Sequence, residues 1–84
     1  MRLDKFLKVS RLIKRRTVAN DACDNARISV NGKPAKASYS IKLGDEITIG
    51  FATKNITVRV LDIKETTKKN ESLGMYEVIS ETDA

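Results

Sequence analysis

The chain changes from a helical to a β pattern within residues 17–33, TVANDACDNARISVNGK. In the first half of this stretch, small or apolar residues recur four positions apart, which is the spacing of one helix face. These residues are Val18, Ala19, Ala22 and Cys23. We expect a helix over 17–25 that can approach its neighbour closely. Asn25, rather than Ala26, is expected to take the left-handed conformation at its end, because asparagine tolerates it better.

The second half of the stretch predicts a β-hairpin. Ile28 and Val30 alternate with polar neighbours, and Asn31-Gly32 follows at once. Both central residues of a type I′ turn need positive φ, which this pair adopts readily. Pro34 lacks an N–H, so the short return strand should lie at a sheet edge.

Upstream, residues 2–10 predict a helix with one apolar side. Three large apolar residues fall at i, i+3 and i+4, and the cations fall on the opposite arc. The inward residues are Leu3, Phe6 and Leu7, and the outward cations are Arg2, Lys5 and Lys8. Asp4 is interpreted as a first-turn helix acid or a partner of Lys8. A basic turn over 10–16 follows, with Leu12 and Ile13 as its inward anchors.

Downstream, alternating apolar residues predict strands over 46–51, 55–64 and 75–80, with a turn at 43–45 and a polar connection over 65–74. The acidic end, 81–84, is expected to fray. We therefore predict an α+β fold in which two N-terminal helices pack on a small, mostly antiparallel sheet. Residues 1–84 should form one domain, with a core motif at about 2–49 and a C-terminal strand pair at about 55–80.

Positive charge is concentrated at one end of the chain. The net charge is +5 overall, but the first 16 residues contain seven basic residues and one acidic residue, a net charge of +6. The other 68 residues carry nine basic and ten acidic groups, a net charge of −1. Such a cluster predicts a polyanionic partner, and in particular a nucleic acid.

The candidate RNA-binding residues follow from this cluster and the hairpin beside it. Arginine is favoured for close phosphate contact because its planar fork matches phosphate oxygens. The candidates are Arg2, Lys5, Lys8, Arg11, Lys14, Arg15 and Arg16, the hydroxyls of Thr17 and Ser38, and the cations Arg27, Lys33 and Lys36 near the hairpin. Aromatic residues are few, and neither Phe6 nor Phe51 is expected to be exposed. Recognition should therefore rest on RNA shape and backbone.

Other classes of function find little support. The chain has no histidine, no glycine-rich phosphate loop and no paired carboxylates in apolar surroundings, so we expect no enzyme. The single Cys23 can form no internal disulfide and, without histidine, no zinc site; we expect a small buried residue and no cofactor or metal. No apolar run approaches the ~18 residues that span a bilayer, and no signal peptide is apparent, so a cytoplasmic location is expected.

Five short motifs in order resemble the S-four-type RNA-binding domain, which is named after small-subunit ribosomal protein four. They are residues 2–7 (RLDKFL), 11–17 (RLIKRRT), 27–33 (RISVNGK), 36–38 (KAS) and 44–47 (GDEI). The resemblance covers about residues 2–49. One departure is Ala26, where members of this family usually have glycine.

The short chain is similar to the stand-alone members of this family, and that resemblance implies a function. It implies a monomeric, ribosome-associated factor that binds large-subunit rRNA and peptidyl-tRNA after a stalled ribosome has split. It would support the tail-adding factor RqcH during C-terminal tailing by stabilising tRNA, without catalysis. Arg2 and the Arg15-Arg16 pair match the family's rRNA-contacting motif, with Lys5 and Arg11 on the same surface.

Two alternatives remain open. The chain could be an RNA-binding interaction subunit of an RNA-modifying or RNA-regulating enzyme, docking its partner through an apolar sheet face around Leu61 and Ile63. It could also be a cationic binder of membrane surfaces. That hypothesis is weaker because the first helix lacks the bulky interfacial residues that such helices use.

Overall fold

A computed structural model of the chain describes residues 1–64 and 73–83, in which two helices precede a five-stranded sheet. The helices are α1 (Leu3–Val9) and α2 (Arg16–Asp24). The strands are β1 (Ile28–Val30), β2 (Lys33–Pro34), β3 (Glu46–Gly50), β4 (Lys54–Val60) and β5 (Tyr76–Asp83), the last preceded by a 3-10 turn at Leu73–Met75. The sheet order is β2-β1-β3-β4-β5, and every neighbouring pair is antiparallel. The predicted α+β arrangement is confirmed; most of the predicted connection over 65–74 lies outside the described residues.

The core lies between the apolar side of the helices and one face of the sheet. Leu3, Phe6 and Leu7 are fully buried, as the phase of the first helix predicts. Their buried counterparts on the sheet are Ile28, Val30, Ile47, Ile49, Val58 and Val60. Ala19 and Cys23 of α2 are also buried, and these small side chains allow the two helices to pack closely.

The loop after β2 is tied to the beginning of α1. An α-helix leaves its first backbone N–H groups without partners inside the helix. Here the N–H of Leu3 donates to the carbonyl oxygen of Tyr39 at 2.7 Å, and the N–H of Asp4 donates to that of Ala37 at 3.2 Å. An isolated β-bridge also joins Arg2 to Ser40. These bonds place residues 36–40 beside the start of α1.

The predicted hairpin is confirmed. Asn31 and Gly32 have φ values of 53° and 84°, the positive values that a type I′ turn requires. The Asn31 side chain also accepts a hydrogen bond from the Glu46 N–H at 3.0 Å and donates to Asp45 at 3.2 Å. Pro34 lies in the edge strand β2, as expected.

The end of α2 differs from the prediction. Asn25 has φ −93°, and Ala26, with φ +57°, takes the left-handed conformation instead. Asn25 remains the helix cap, and its side-chain amide donates to the Asp21 carbonyl at 2.8 Å. The Arg27 N–H returns to the Ala22 carbonyl at 2.9 Å, so the left-handed residue lies one position later than the sequence indicates, although α2 itself ends at Asp24.

Ala26→Gly is expected to stabilise the protein. A left-handed conformation costs an L-residue ~1–2 kcal/mol, which glycine avoids. Glycine also makes the unfolded chain more flexible, which lowers stability by ~0.5–1 kcal/mol. The free energy of unfolding should therefore rise by about 0.5–1 kcal/mol. Urea unfolding of both proteins measures the difference. The same substitution at Ala22, inside α2, should lower stability. A less stable Ala26→Gly variant would contradict the strain assigned to this turn.

Two expectations near the C-terminal strands are wrong. Phe51 is not buried: β3 ends at Gly50, and Phe51 lies in the following turn with 37% of its surface exposed. Its N–H donates to the Lys54 carbonyl at 2.8 Å, which closes that turn. The acidic end does not fray over 81–83, because β5 pairs with β4 as far as Asp83. Glu81 also forms an ion pair with Lys54 at 2.8 Å.

Candidate nucleic-acid interface

A buried carboxylate connects the two helices at the basic end of the chain. Asp4, in the first turn of α1, is 1% exposed. It accepts hydrogen bonds from Arg2 Nε at 3.1 Å, Arg16 Nε at 3.3 Å and Asn20 Nδ2 at 3.3 Å. The Lys5 N–H is a fourth donor, at 2.8 Å. Two arginines that are 14 positions apart in sequence are thereby held side by side.

The arginines keep much of their hydrogen-bonding capacity for a ligand. A guanidinium carries five N–H donors, and Asp4 engages Nε of each arginine and one terminal nitrogen of Arg2. Their side chains are 51% and 46% exposed. The arrangement presents a pair of partly fixed guanidinium groups to solvent, which suits the oxygens of neighbouring phosphates.

The surroundings of Asp4 favour its charged form. Burial alone would raise the pKa of this carboxyl, but hydrogen bonds from Arg2 and Arg16, and from the Lys5 N–H, outweigh that effect. The pKa of Asp4 is therefore lower than its ordinary value of 3.8. The carboxylate stays ionised at neutral pH and offsets part of the repulsion between the two arginines.

This pKa predicts a specific acid sensitivity. A carboxyl whose pKa is lowered by folding adds stability above its unfolded pKa and loses that contribution as pH falls through the folded value. We expect Asp4→Asn to be less stable than the wild type at neutral pH. The gap should close as pH falls below 3.8. Urea unfolding between about pH 6 and about pH 2.5 measures both curves, and a gap that does not depend on pH would contradict the assignment.

The structure exposes almost every residue predicted to bind RNA. Lys5 alone among the twelve is half-buried; the exposed ones are Arg2, Lys8, Arg11, Lys14, Arg15, Arg16, Thr17, Arg27, Lys33, Lys36 and Ser38. The exposed candidates on α1, the basic turn and the start of α2 lie in the same stretch of chain as Arg2, Asp4 and Arg16, which with Asn20 form the Asp4 cluster. Lys36 and Ser38 flank Ala37, whose carbonyl accepts the Asp4 N–H, so their backbone lies beside the start of α1.

Two predicted residues lie away from this cluster. Arg27 follows the far end of α2, and the helix separates that end from Arg16 by about 12 Å at 1.5 Å per residue. Lys33 lies in β2, the edge strand of the sheet. The hairpin therefore extends the basic surface less directly than the sequence suggests.

Sequence reasoning missed the residues that organise the cluster. The sequence predicts a role for Asp4 within its own helix, but Asp4 contacts Arg16 and Asn20 of α2. A signal was present, since Asp4 is the only acid among the first 16 residues. An open groove of about 450 Å³ lies at this cluster and is lined by Asp4, Arg16, Thr17, Asn20 and Asp21.

Cys23 has a structural role. It is 7% exposed, and burial, together with the charges of Asp4 and Asp24, raises the pKa of its thiol to about 11. The thiol thus stays protonated and unreactive at neutral pH, as expected of a small buried residue. Within residues 1–64 and 73–83, no three histidine, cysteine or acidic side chains gather as metal ligands would. No helix in that part of the chain is long and apolar enough to cross a membrane.

Comparison with known proteins identifies the family. Residues 1–47 match the family model of the S4 domain. The chain belongs to the S4 domain family, which confirms the resemblance seen in the sequence motifs. It is similar to the protein named RQC P-site tRNA stabilizing factor in Bacillus subtilis, with 58% identity over 81 residues, 96% of this chain and 94% of that protein. The protein of the same name in Streptococcus pneumoniae is 56% identical over 82 residues, 98% of this chain and 93% of its own length.

Solved structures support the same fold. Heat Shock Protein 15 of Vibrio cholerae, described as trimeric, has a TM-score of 0.89 and 27% identity, covering 95% of this chain and 82% of that one. The solution structure of the hypothetical protein HP1423 has a TM-score of 0.83 and 30% identity, covering 95% of this chain and 98% of that one.

Proposed function

We propose that this chain is a non-catalytic RNA-binding factor of ribosome-associated quality control. It binds the large ribosomal subunit through rRNA and peptidyl-tRNA and stabilises that tRNA while stalled nascent chains receive C-terminal tails. The observation that carries the proposal is the pair of arginines on Asp4, exposed at the basic end of a chain whose relatives are named P-site tRNA stabilizing factors. The factor acts in the cytoplasm, on ribosomes, as a monomer beside RqcH.

The mechanism is positional. Arg2 and Arg16 are ordered by Asp4 before any ligand arrives, so less side-chain entropy is lost when they bind phosphate. The exposed cations of the basic turn, Lys14 and Arg15, extend the contact along the same end of the molecule. A small rigid body with this surface can hold two RNA backbones together and favour one tRNA position.

The alternative function receives weaker support. An interaction subunit of an RNA-modifying or RNA-regulating enzyme would dock its partner around Leu61 and Ile63. Leu61 is 49% exposed, but Ile63 is partly buried against the core and offers less to a partner. The names of the relatives favour the ribosomal function.

Co-sedimentation with isolated large ribosomal subunits across a salt series tests the proposal. The protein should sediment with the subunit at low salt and be released as salt rises. For each phosphate neutralised, log K of binding falls by roughly 0.7–0.9 per tenfold rise in salt concentration. About five contacts would give a slope of about −4. Association that does not respond to salt, or a protein that stays at the top of the gradient at every salt concentration, would refute the proposal.

A further inference from the structure

The groove beside α2 has a chemistry that phosphate contacts do not explain. Its walls are Asp4, Arg16, Thr17, Asn20 and Asp21, and its volume, about 450 Å³, falls in the range of small-ligand sites. Thr17, Asn20 and Asp21 lie at i, i+3 and i+4 of α2, so their side chains share one side of the helix. The groove thus combines one cation with several hydrogen-bonding groups.

Within the groove Asp4 pairs with Arg16 and Asn20, whereas the Asp21 carboxylate takes no part in this cluster. The Asp4 carboxylate is occupied by Arg2, Arg16 and Asn20. The Asn20 side-chain amide donates one N–H to Asp4, so its oxygen remains available as an acceptor. Among residues 1–64 and 73–83, no group pairs with the exposed Asp21 carboxylate. The groove therefore offers a ligand the acceptor oxygens of Asp21 and Asn20, the Thr17 hydroxyl and the remaining N–H donors of the Arg16 guanidinium.

An unpaired carboxylate on an RNA-binding surface repels phosphate, so its favourable partner must be a donor. Unstacked RNA bases are recognised through hydrogen bonds on their Watson–Crick edges. Guanine alone presents two parallel donors there, N1–H and the 2-amino group, which match the two oxygens of one carboxylate. The equivalent edges of adenine, cytosine and uracil each offer one donor group beside an acceptor.

We propose that this groove binds a single unstacked guanine nucleotide of RNA. The Asp21 carboxylate accepts hydrogen bonds from N1–H and the 2-amino group, and Arg16 binds the nucleotide's phosphate. The inference rests on the proposed RNA-binding function and deepens it, because it adds base selectivity to a surface that otherwise reads backbone. Asp21 is then a specificity-determining residue.

Fluorescence anisotropy with short RNAs tests this inference. The probes are labelled nine-nucleotide oligouridines whose central nucleotide is guanosine, inosine, adenosine, cytidine or uridine. The guanosine probe should bind the wild type about tenfold more tightly than the others, the low end of what a bidentate contact provides. Inosine lacks the 2-amino group and should lose most of that preference.

Two variants separate base reading from simple charge. Asp21→Asn should bind all five probes with similar affinity, because an amide supplies one acceptor where guanine needs two. Asp24→Asn removes an equal charge one turn further along α2, outside the groove lining, and should keep the guanosine preference. Equal binding of all probes to the wild type, or a preference that survives Asp21→Asn, would overturn the inference and leave RNA binding intact. Failure of every probe to bind at low salt would also overturn the inference, whereas the RNA-binding function is decided separately by sedimentation with the large subunit.

Discussion

Arg16→Ala should abolish association with the large ribosomal subunit while leaving the fold intact. Arg16 begins α2, is 46% exposed, and is held at 3.3 Å from the Asp4 carboxylate. Its loss removes one of two ordered guanidinium groups from the proposed contact. Asp4 keeps Arg2, Asn20 and the Lys5 N–H as donors, so the free energy of unfolding should fall by about 1 kcal/mol or less.

The matched control is Arg59→Ala. Arg59 in β4 is 44% exposed and also pairs with acids, Glu46 at 3.5 Å and Glu77 at 3.6 Å, but it lies outside the basic end of the chain. This variant should sediment with the subunit as the wild type does. Arg16→Lys keeps the charge but not the planar fork, and should bind with intermediate affinity. If Arg59→Ala were as impaired as Arg16→Ala, binding would depend on total charge and not on the cluster.

Leu7→Ala should cost the largest amount of stability. Leu7 is fully buried on the apolar side of α1, and removing such a side chain leaves a cavity that costs about 2–5 kcal/mol. Small domains are stable by only about 5–15 kcal/mol, so the loss is a large fraction of the total. Thermal and urea unfolding measure it.

Val18→Ala provides the comparison for that experiment. Val18 belongs to α2 but is 50% exposed, so its truncation should change stability by about 0.5 kcal/mol or less. Leu7→Ala should weaken ribosome binding only in proportion to the fraction of the protein that is unfolded. If Leu7→Ala were as stable as Val18→Ala, the assigned helix phase would be wrong.

Two features that the sequence predicts correctly, the phase of α1 and the hairpin, have short-range causes. The phase of α1 follows from Leu3, Phe6 and Leu7, whose spacing allows one buried side. The hairpin follows from Asn31-Gly32, which accepts the positive φ values that the turn imposes. Neighbouring residues decide both features, so a local pattern is sufficient to find them.

The errors occur where distant segments meet. Ala26 takes the left-handed turn because Arg27 is bonded both back to Ala22 and across to Gly50, a constraint set by the sheet. Phe51 is exposed because the turn to β4 begins one residue early. The acidic end is ordered because Lys54 and the rest of β4 lie beside it.

The features of the candidate site also divide into those with local causes and those set by contacts between distant segments. The sequence by itself determined that α1 and the turn after it carry the excess charge and which side of α1 is buried, because charge and helical period are properties of consecutive residues. Only the tertiary structure decided that Arg2 and Arg16 share Asp4, and that a groove opens between Asp4 and Asp21. A carboxylate reaches residues 12 and 16 positions away only after the core has packed α1 against α2.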